Sequence, residues 1–166
     1  MAEIDEVSEP AEVEAVARLS RQIWEEHYVP IIGQRQVDYM LDRFQSAGAI
    51  ADQIEEGHRY FLLRDGEEDV GYLALVPDAE AGEMYLSKFY VRRDRRGEGL
   101  GRRMIEFAEE LCHEMGLEKI RLAVNKNNAR SIRIYENLGF HKAHTRVKDI
   151  GEGFVMDDYV MEKEVG

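Results

Sequence analysis

Arg96-Gly97-Glu98-Gly99-Leu100-Gly101 stands between a strand-like run, Met84-Tyr85-Leu86-Ser87-Lys88-Phe89-Tyr90-Val91, and an amphipathic stretch that begins at Leu100. A helix starting directly after a strand presents backbone N–H groups that have no intrahelical partner, and their partial positive charge favours a phosphate there. Gly97, Gly99 and Gly101 allow the backbone to approach such a ligand closely, while Arg96 and Arg102 add direct phosphate contacts. Two familiar phosphate patterns can be tested by spacing. A dinucleotide fold wants G-x-G-x-x-G and an acidic ribose ligand about 20 residues on, at the end of the next strand. Here that strand ends in Asn125. A P-loop closes with Gly-Lys-Ser/Thr, whereas Gly101 is followed by Arg102-Arg103. Taken alone, the segment could also be a glycine-rich turn with solvated arginines.

Working outward, Leu100, Met104, Ile105, Phe107, Ala108, Leu111 and Cys112 form a helical stripe that stops near Gly116, and Ile120–Val124 is a buried strand. Strand, helix, strand in this order is a crossover unit, so the two strands should be parallel neighbours. Arg59–Arg64 and Val70–Val76 flank Asp65-Gly66 and read as an antiparallel hairpin. Ser8 and Pro10 signal a helix start, with Val13, Val16, Ala17, Ser20, Ile23, Trp24 and His27 on one face and Pro30 and Gly33 as its breakers. Val37, Met40, Leu41 and Phe44 mark a second helix, continued through Ile50 and Ile54. Ala129–Leu138 is a last helix closed by Gly139, and final strands run from Phe140 to Lys148 and from Phe154 to Glu162.

The chain has 166 residues, 44% of them hydrophobic, which suits a single domain over 1–166. A formal net charge of -12 excludes nucleic acid as the main partner, because phosphate backbones demand a surplus of Lys and Arg. The start is acidic where a signal peptide would be basic and then apolar, and no apolar run reaches the ~20 residues of a membrane span, so a cytoplasmic protein with no membrane partner is expected. Cys112 is the sole cysteine and reads as a packed thiol. No histidine pattern has metal-ligand spacing, and His141 and His144 on a strand should face opposite ways, so no metal is expected. A homodimer is left open.

Read as R-x-x-G-x-G after a strand, Arg96, Gly99 and Gly101 resemble the acetyl-CoA-binding motif of the GNAT acetyltransferase superfamily. Asn128-Ala129-Arg130-Ser131-Ile132-Arg133-Ile134-Tyr135-Glu136-Asn137-Leu138-Gly139-Phe140 resembles its later segment, with Asn seven residues before Tyr and Gly-Phe closing the helix. The likeness runs from about Tyr60 to Met161 in order of elements. It implies an α/β (α+β) fold, a single GNAT-like domain with a central mixed, mostly antiparallel twisted sheet and helices on both faces. It also implies an N-acetyltransferase with acetyl-CoA as co-substrate. Phe89, Tyr90 and Val91 match the splayed strand whose backbone holds the pantetheine arm and acetyl carbonyl. Arg96, Gly97, Glu98, Gly99, Leu100, Gly101 and Arg102 match the pyrophosphate loop, Asn128 reaches the pantetheine side, and Tyr135 matches the tyrosine that protonates the leaving thiolate.

Some family members carry a glutamate as general base on the strand where this chain has Ser87 and Lys88. Glu25, His27, Asp158 or a water chain are the substitutes. Acceptor choice in this fold comes from the first helices and last strands, here Trp24, Glu25, His27, Tyr28 and Asp158, and carboxylates among aromatics suit an alkylammonium. The Gly151–Met161 hairpin, with Asp157-Asp158, is similar to polyamine acetyltransferases of the superfamily. A small-molecule amine, preferably a polyamine, is therefore the expected acceptor. Peptide or protein N-termini, an aminoglycoside, or a non-catalytic acyl-CoA-binding module are the alternatives.

Overall fold

The computed structural model describes residues 2–165; Met1 and Gly166, the ends of the expected domain, lie outside the described residues. Among those described, seven strands form one sheet in the order β1-β2-β3-β4-β5-β7-β6. They are β1 (Ala2–Glu6), β2 (Arg59–Asp65), β3 (Glu68–Asp78), β4 (Glu83–Val91), β5 (Lys119–Asn125), β6 (His141–Gly151) and β7 (Phe154–Glu164). The helices are α1 (Pro10–His27), α2 (Val29–Ile32), α3 (Gln34–Phe44), α4 (Ala47–Glu55), α5 (Leu100–Met115) and α6 (Ala129–Asn137). The sheet is mixed and mostly antiparallel, the α+β class that the sequence implies. The chain divides into two compact units, Met1–Val76 with Lys88–Met104, and Pro77–Ser87 with Ile105–Gly166.

In the first unit, β1 pairs antiparallel with β2 from Ala2↔Asp65 to Glu6↔Phe61. This edge strand was not expected from the sequence, because three acidic side chains in five residues mask its short alternation. Ser8 is not the α1 cap. That position falls on Glu9, with Pro10 in the first turn, and Glu12 Oε1 accepts from the N–H groups of Ser8 (3.1 Å) and Glu9 (2.9 Å). α1 ends at His27, ahead of the expected breakers Pro30 and Gly33; Pro30 itself lies in the first turn of the short α2, where a proline loses no hydrogen bond, and Gly33 ends that helix. Ser20 sits on the buried face of α1 because Gln45 satisfies it: Gln45 Oε1 accepts from Ser20 Oγ at 3.3 Å and from Tyr72 Oη at 3.1 Å. The β2–β3 hairpin turns at Gly66, as expected, with φ of 66°.

In the second unit, β4 and β5 are parallel, with register from Glu83↔Lys119 to Tyr85↔Arg121, as the crossover unit requires. Antiparallel β7 lies between β5 and β6. The β6–β7 register steps from Lys142↔Met161 to His144↔Val160, so Ala143 is an extra, bulged residue. The bulge corrects the expectation for the histidines. His141 opposite Glu162 and His144 opposite Val160 share one face, because the inserted residue shifts the alternation by one. Among the described residues no His, Cys, Asp and Glu group could hold a metal ion, and no helix is long and apolar enough to cross a membrane. Cys112 is buried, and that burial pushes its thiol up to about 11, away from reactivity.

Candidate active site

The arginine-rich approach to the loop divides into anchors and exposed cations. Arg92 forks onto Asp94 (3.0 and 2.6 Å), and Arg93 Nη2 donates to the Glu26 carbonyl at 2.7 Å. Arg95 binds three carboxylates at once: Asp65 in the β2–β3 hairpin (2.5 Å), Glu68 at its far side (3.1 Å) and Glu98 in the loop itself (2.9 Å). The guanidinium holds Asp65 and Glu98 below the usual carboxylate range. Glu98, placed by the sequence among the cofactor contacts, is therefore engaged in fixing the loop, and its charge is neutralised beside the expected pyrophosphate. Arg95 is a residue that the sequence reading did not single out; the acids Asp65 and Glu68 at the β2–β3 turn were the available signal.

Arg96 is half-buried, and Arg102 is exposed on the first turn of α5. Gly99 caps that helix, its carbonyl accepting from the Arg103 N–H at 3.1 Å. Gly97 and Gly99 have φ of 84° and 79°, a region costly for other residues, and a Cβ at either would meet no protein atom within 4 Å. The glycines thus set the backbone course and leave the loop's outer side open. Gly101 differs: its Cβ would touch the Phe89 ring at 3.4 Å, so it serves the packing of α5 against β4. Leu100 is buried and roots the loop.

Along β4 the burial alternates at Met84 and Leu86 and then stops, leaving every residue from Ser87 to Val91 partly exposed. Phe89, Tyr90 and Val91 are thus a run of apolar side chains incompletely covered by the protein. Gly71 in β3 lets this segment approach, since a Cβ there would stand 2.7 Å from the Tyr90 carbonyl oxygen. Ala in place of Gly71 is expected to displace β4 at Tyr90, lowering stability by roughly 1–3 kcal/mol. Chemical denaturation reads the effect; a wild-type value would remove Gly71 from this role. An isolated glycine inside a strand pattern was the sequence signal for it.

The acceptor candidates of α1 fall into two groups. Trp24 is buried with its ring 4.3 Å from Tyr28 and 5.7 Å from Tyr90, and Tyr72 stands 5.2 Å from Tyr90. His27 packs edge-on against Tyr28 at 4.7 Å. Tyr28, His27 and Tyr90 are half-buried, so this cluster presents aromatic surface beside the exposed part of β4. Glu25 points elsewhere, exposed and ion-paired with Arg21 one turn away at 3.2 Å.

In the second unit, Asn128 is buried and caps α6, its Oδ1 accepting from the Ser131 N–H at 3.2 Å. Tyr135, on α6, is half-buried rather than a core residue, with its ring edge-on to buried Phe140 at 5.7 Å. Asp158, on β7, is 1% exposed. Its cross-strand neighbours are Asn125, the last residue of β5, and Arg146 of β6. Asp157 and Tyr159, by contrast, are served by the chain's own cations: Lys126 pairs with Asp157 at 2.8 Å, and Lys142 sits 4.4 Å from the Tyr159 ring centre.

Residues 16–140 match the model of the acetyltransferase (GNAT) family. The chain belongs to this family. Its GNAT relatives include an uncharacterised N-acetyltransferase of Lactobacillus delbrueckii subsp. lactis, 31% identical over 110 residues, a match covering 63% of this chain and 62% of that protein. A spermine/spermidine N(1)-acetyltransferase of Bacillus subtilis (strain 168) is 30% identical over 119 residues, 66% of this chain and 75% of that one. The GNAT fold is matched by the crystal structure of PaiA N-acetyltransferase from Thermoplasma acidophilum in complex with coenzyme A, with a TM-score of 0.82, 18% identity and 99% of both chains covered.

Proposed function

We propose that this GNAT chain works as a single domain that transfers an acetyl group from acetyl-CoA to a primary amine by direct attack, with a polyamine or similar small cationic amine as preferred acceptor. The observation that carries the donor is the Gly97–Arg102 loop, with two positive-φ glycines, an open outer side and an exposed arginine at the start of α5. That combination fits a diphosphate, which needs converging N–H donors, clearance and positive charge. The partly exposed Phe89–Val91 run fits an extended, weakly polar arm laid along β4.

Direct transfer needs the donor and amine held in line, a polarised carbonyl, and a proton for the departing sulfur. In this reading the β4 backbone orients the acetyl carbonyl and Tyr135 supplies the proton. Asn128 spends Oδ1 on the α6 cap, which fixes the start of the helix carrying Tyr135. For the acceptor, the family relative that acts on spermine and spermidine supports a polyamine. Of the residues expected to bind it, Tyr28 and His27 offer half-buried aromatic surface in the first unit, where Trp24 packs on Tyr28 and Glu25 is engaged with Arg21; Asp158 is the buried carboxylate of the second.

The test is CoA release with spermidine, an N-terminal peptide and an aminoglycoside. Spermidine is expected to exceed the others in kcat/KM by roughly tenfold, the worth of one ammonium contact of about 1–2 kcal/mol. A better peptide or aminoglycoside would overturn the acceptor. Tight acetyl-CoA binding by calorimetry without turnover of any amine would instead make the chain a non-catalytic binding module.

A further inference from the structure

We infer that Asp158 is the general base that takes the proton from the acceptor ammonium, and that Arg146 is the positioning residue that keeps it ionised. The inference rests on the acetyltransferase reading above and supplies the carboxylate that β4 lacks at Ser87 and Lys88.

A carboxylate is almost never buried without hydrogen bonds, because desolvating the charge costs far more than burying a neutral group. Asp158 breaks that rule. It is 1% exposed, yet neither carboxylate oxygen has a hydrogen-bond partner. The nearest cation, Arg146 Nη2, stands 3.7 Å from Oδ2, too far for a hydrogen bond, and Arg146 Nε is likewise buried without one. A structural ion pair would close this gap into a fork. Both oxygens therefore keep their capacity to accept a hydrogen bond. Arg146 itself is one-third exposed, so the pair reaches the protein surface on the guanidinium side.

Position points the same way. Asp158 pairs with Asn125, where β5 ends, and the Asn125 carbonyl accepts from the Asn128 N–H at 3.0 Å. The chain turns there into α6, the helix of Tyr135. The buried carboxylate therefore sits at the corner from which the proposed acid is carried.

Arg146 faces Asp158 from β6, Lys126 lies just beyond β5 and is paired with Asp157, Asp157 adjoins it on β7, and His144 occupies the next position of β6 on the same face. Burial raises the Asp158 carboxyl above its usual range, and Arg146 opposes that rise. A carboxylate so raised is a stronger base than one in water. In the step, the ammonium N–H bond breaks and an O–H bond forms on Asp158; the freed nitrogen lone pair attacks the acetyl carbonyl, the C–S bond breaks as sulfur takes the Tyr135 proton, and the nitrogen gives its remaining surplus proton to the resulting phenolate.

Asp158→Asn, nearly isosteric, is expected to lower kcat with spermidine by roughly 100-fold or more, with acetyl-CoA affinity unchanged. Its activity toward hydroxylamine, which is already unprotonated at neutral pH, should stay near that of wild type. Arg146→Gln removes the charge that favours the ionised form, so the acidic limb of the kcat profile should move to higher pH. Equal losses with both nucleophiles in Asp158→Asn, or an acidic limb unmoved in Arg146→Gln, would overturn the assignment. The second measurement stands even if Asp158→Asn fails to fold. Wild-type turnover of any amine preserves the acetyltransferase reading whatever these variants do.

Discussion

Replacement of Gly99 by Val is expected to cut acetyl-CoA affinity by about two orders of magnitude while leaving the fold intact. Gly99 has φ of 79°, and its carbonyl accepts the first hydrogen bond of α5 from Arg103. A non-glycine residue pays about 1–2 kcal/mol for left-handed backbone, and a β-branched one fits it worst. Relief of that strain rotates the loop and turns its N–H groups away from a common point. Each charge-assisted hydrogen bond so lost is worth roughly 1.5–3 kcal/mol, so losing one or two accounts for the fall. No protein atom lies within 4 Å of the new Cβ, so the protein itself offers no collision. Gly99→Asn separates the two causes, because Asn tolerates positive φ but still projects a side chain into the open space. If backbone course dominates, Asn recovers most of the affinity; if clearance dominates, it binds as weakly as Val. Calorimetry with acetyl-CoA, beside thermal denaturation to confirm folding, makes the comparison. Wild-type affinity in both variants would remove the loop from the donor site.

The same loop shows how far the sequence could be read. Its glycines, the flanking strand and the helix from Leu100 were legible because each rests on local rules: positive φ needs glycine, and a 3.6-residue stripe needs a helix. The parallel β4–β5 pairing followed because a strand-helix-strand crossover permits little else. What was not legible depends on partners distant in the chain. Arg95 looks like its arginine neighbours until Asp65 and Glu68, some thirty residues earlier, are brought beside it by the β2–β3 hairpin. Lys126 and Lys142 likewise give Asp157 and Tyr159, which flank Asp158, cations of their own. The bulge at Ala143 reverses the relation of His141 and His144, and no residue type at that position announces it. Asp158 was named among several carboxylates, but its burial and open hydrogen-bonding capacity, which single it out, belong to the folded sheet alone.

Tyr135→Phe is expected to reduce kcat by roughly 10²–10⁴-fold with little change in acetyl-CoA affinity. The ring is held by packing, edge-on to Phe140 with centroids 5.7 Å apart, and phenylalanine keeps that contact. Removing the hydroxyl therefore deletes a proton donor without deleting a support. An interaction needed only as sulfur departs lowers kcat and kcat/KM together, whereas one made equally in the ground state raises KM alone. A further arm identifies the proton's destination. A donor whose thiol is more acidic than that of coenzyme A leaves readily as the thiolate, so the penalty of Tyr135→Phe should shrink with such a thioester. An undiminished penalty would mean that the hydroxyl orients a substrate instead of protonating sulfur, and unchanged turnover with acetyl-CoA would remove Tyr135 from the chemistry. Combined with Asp158→Asn, the variant also tests whether the proton's entry and exit are separate events. If the amine loses its proton before sulfur gains one, the double variant should be no slower than the slower single variant toward hydroxylamine, for which only the exit step remains.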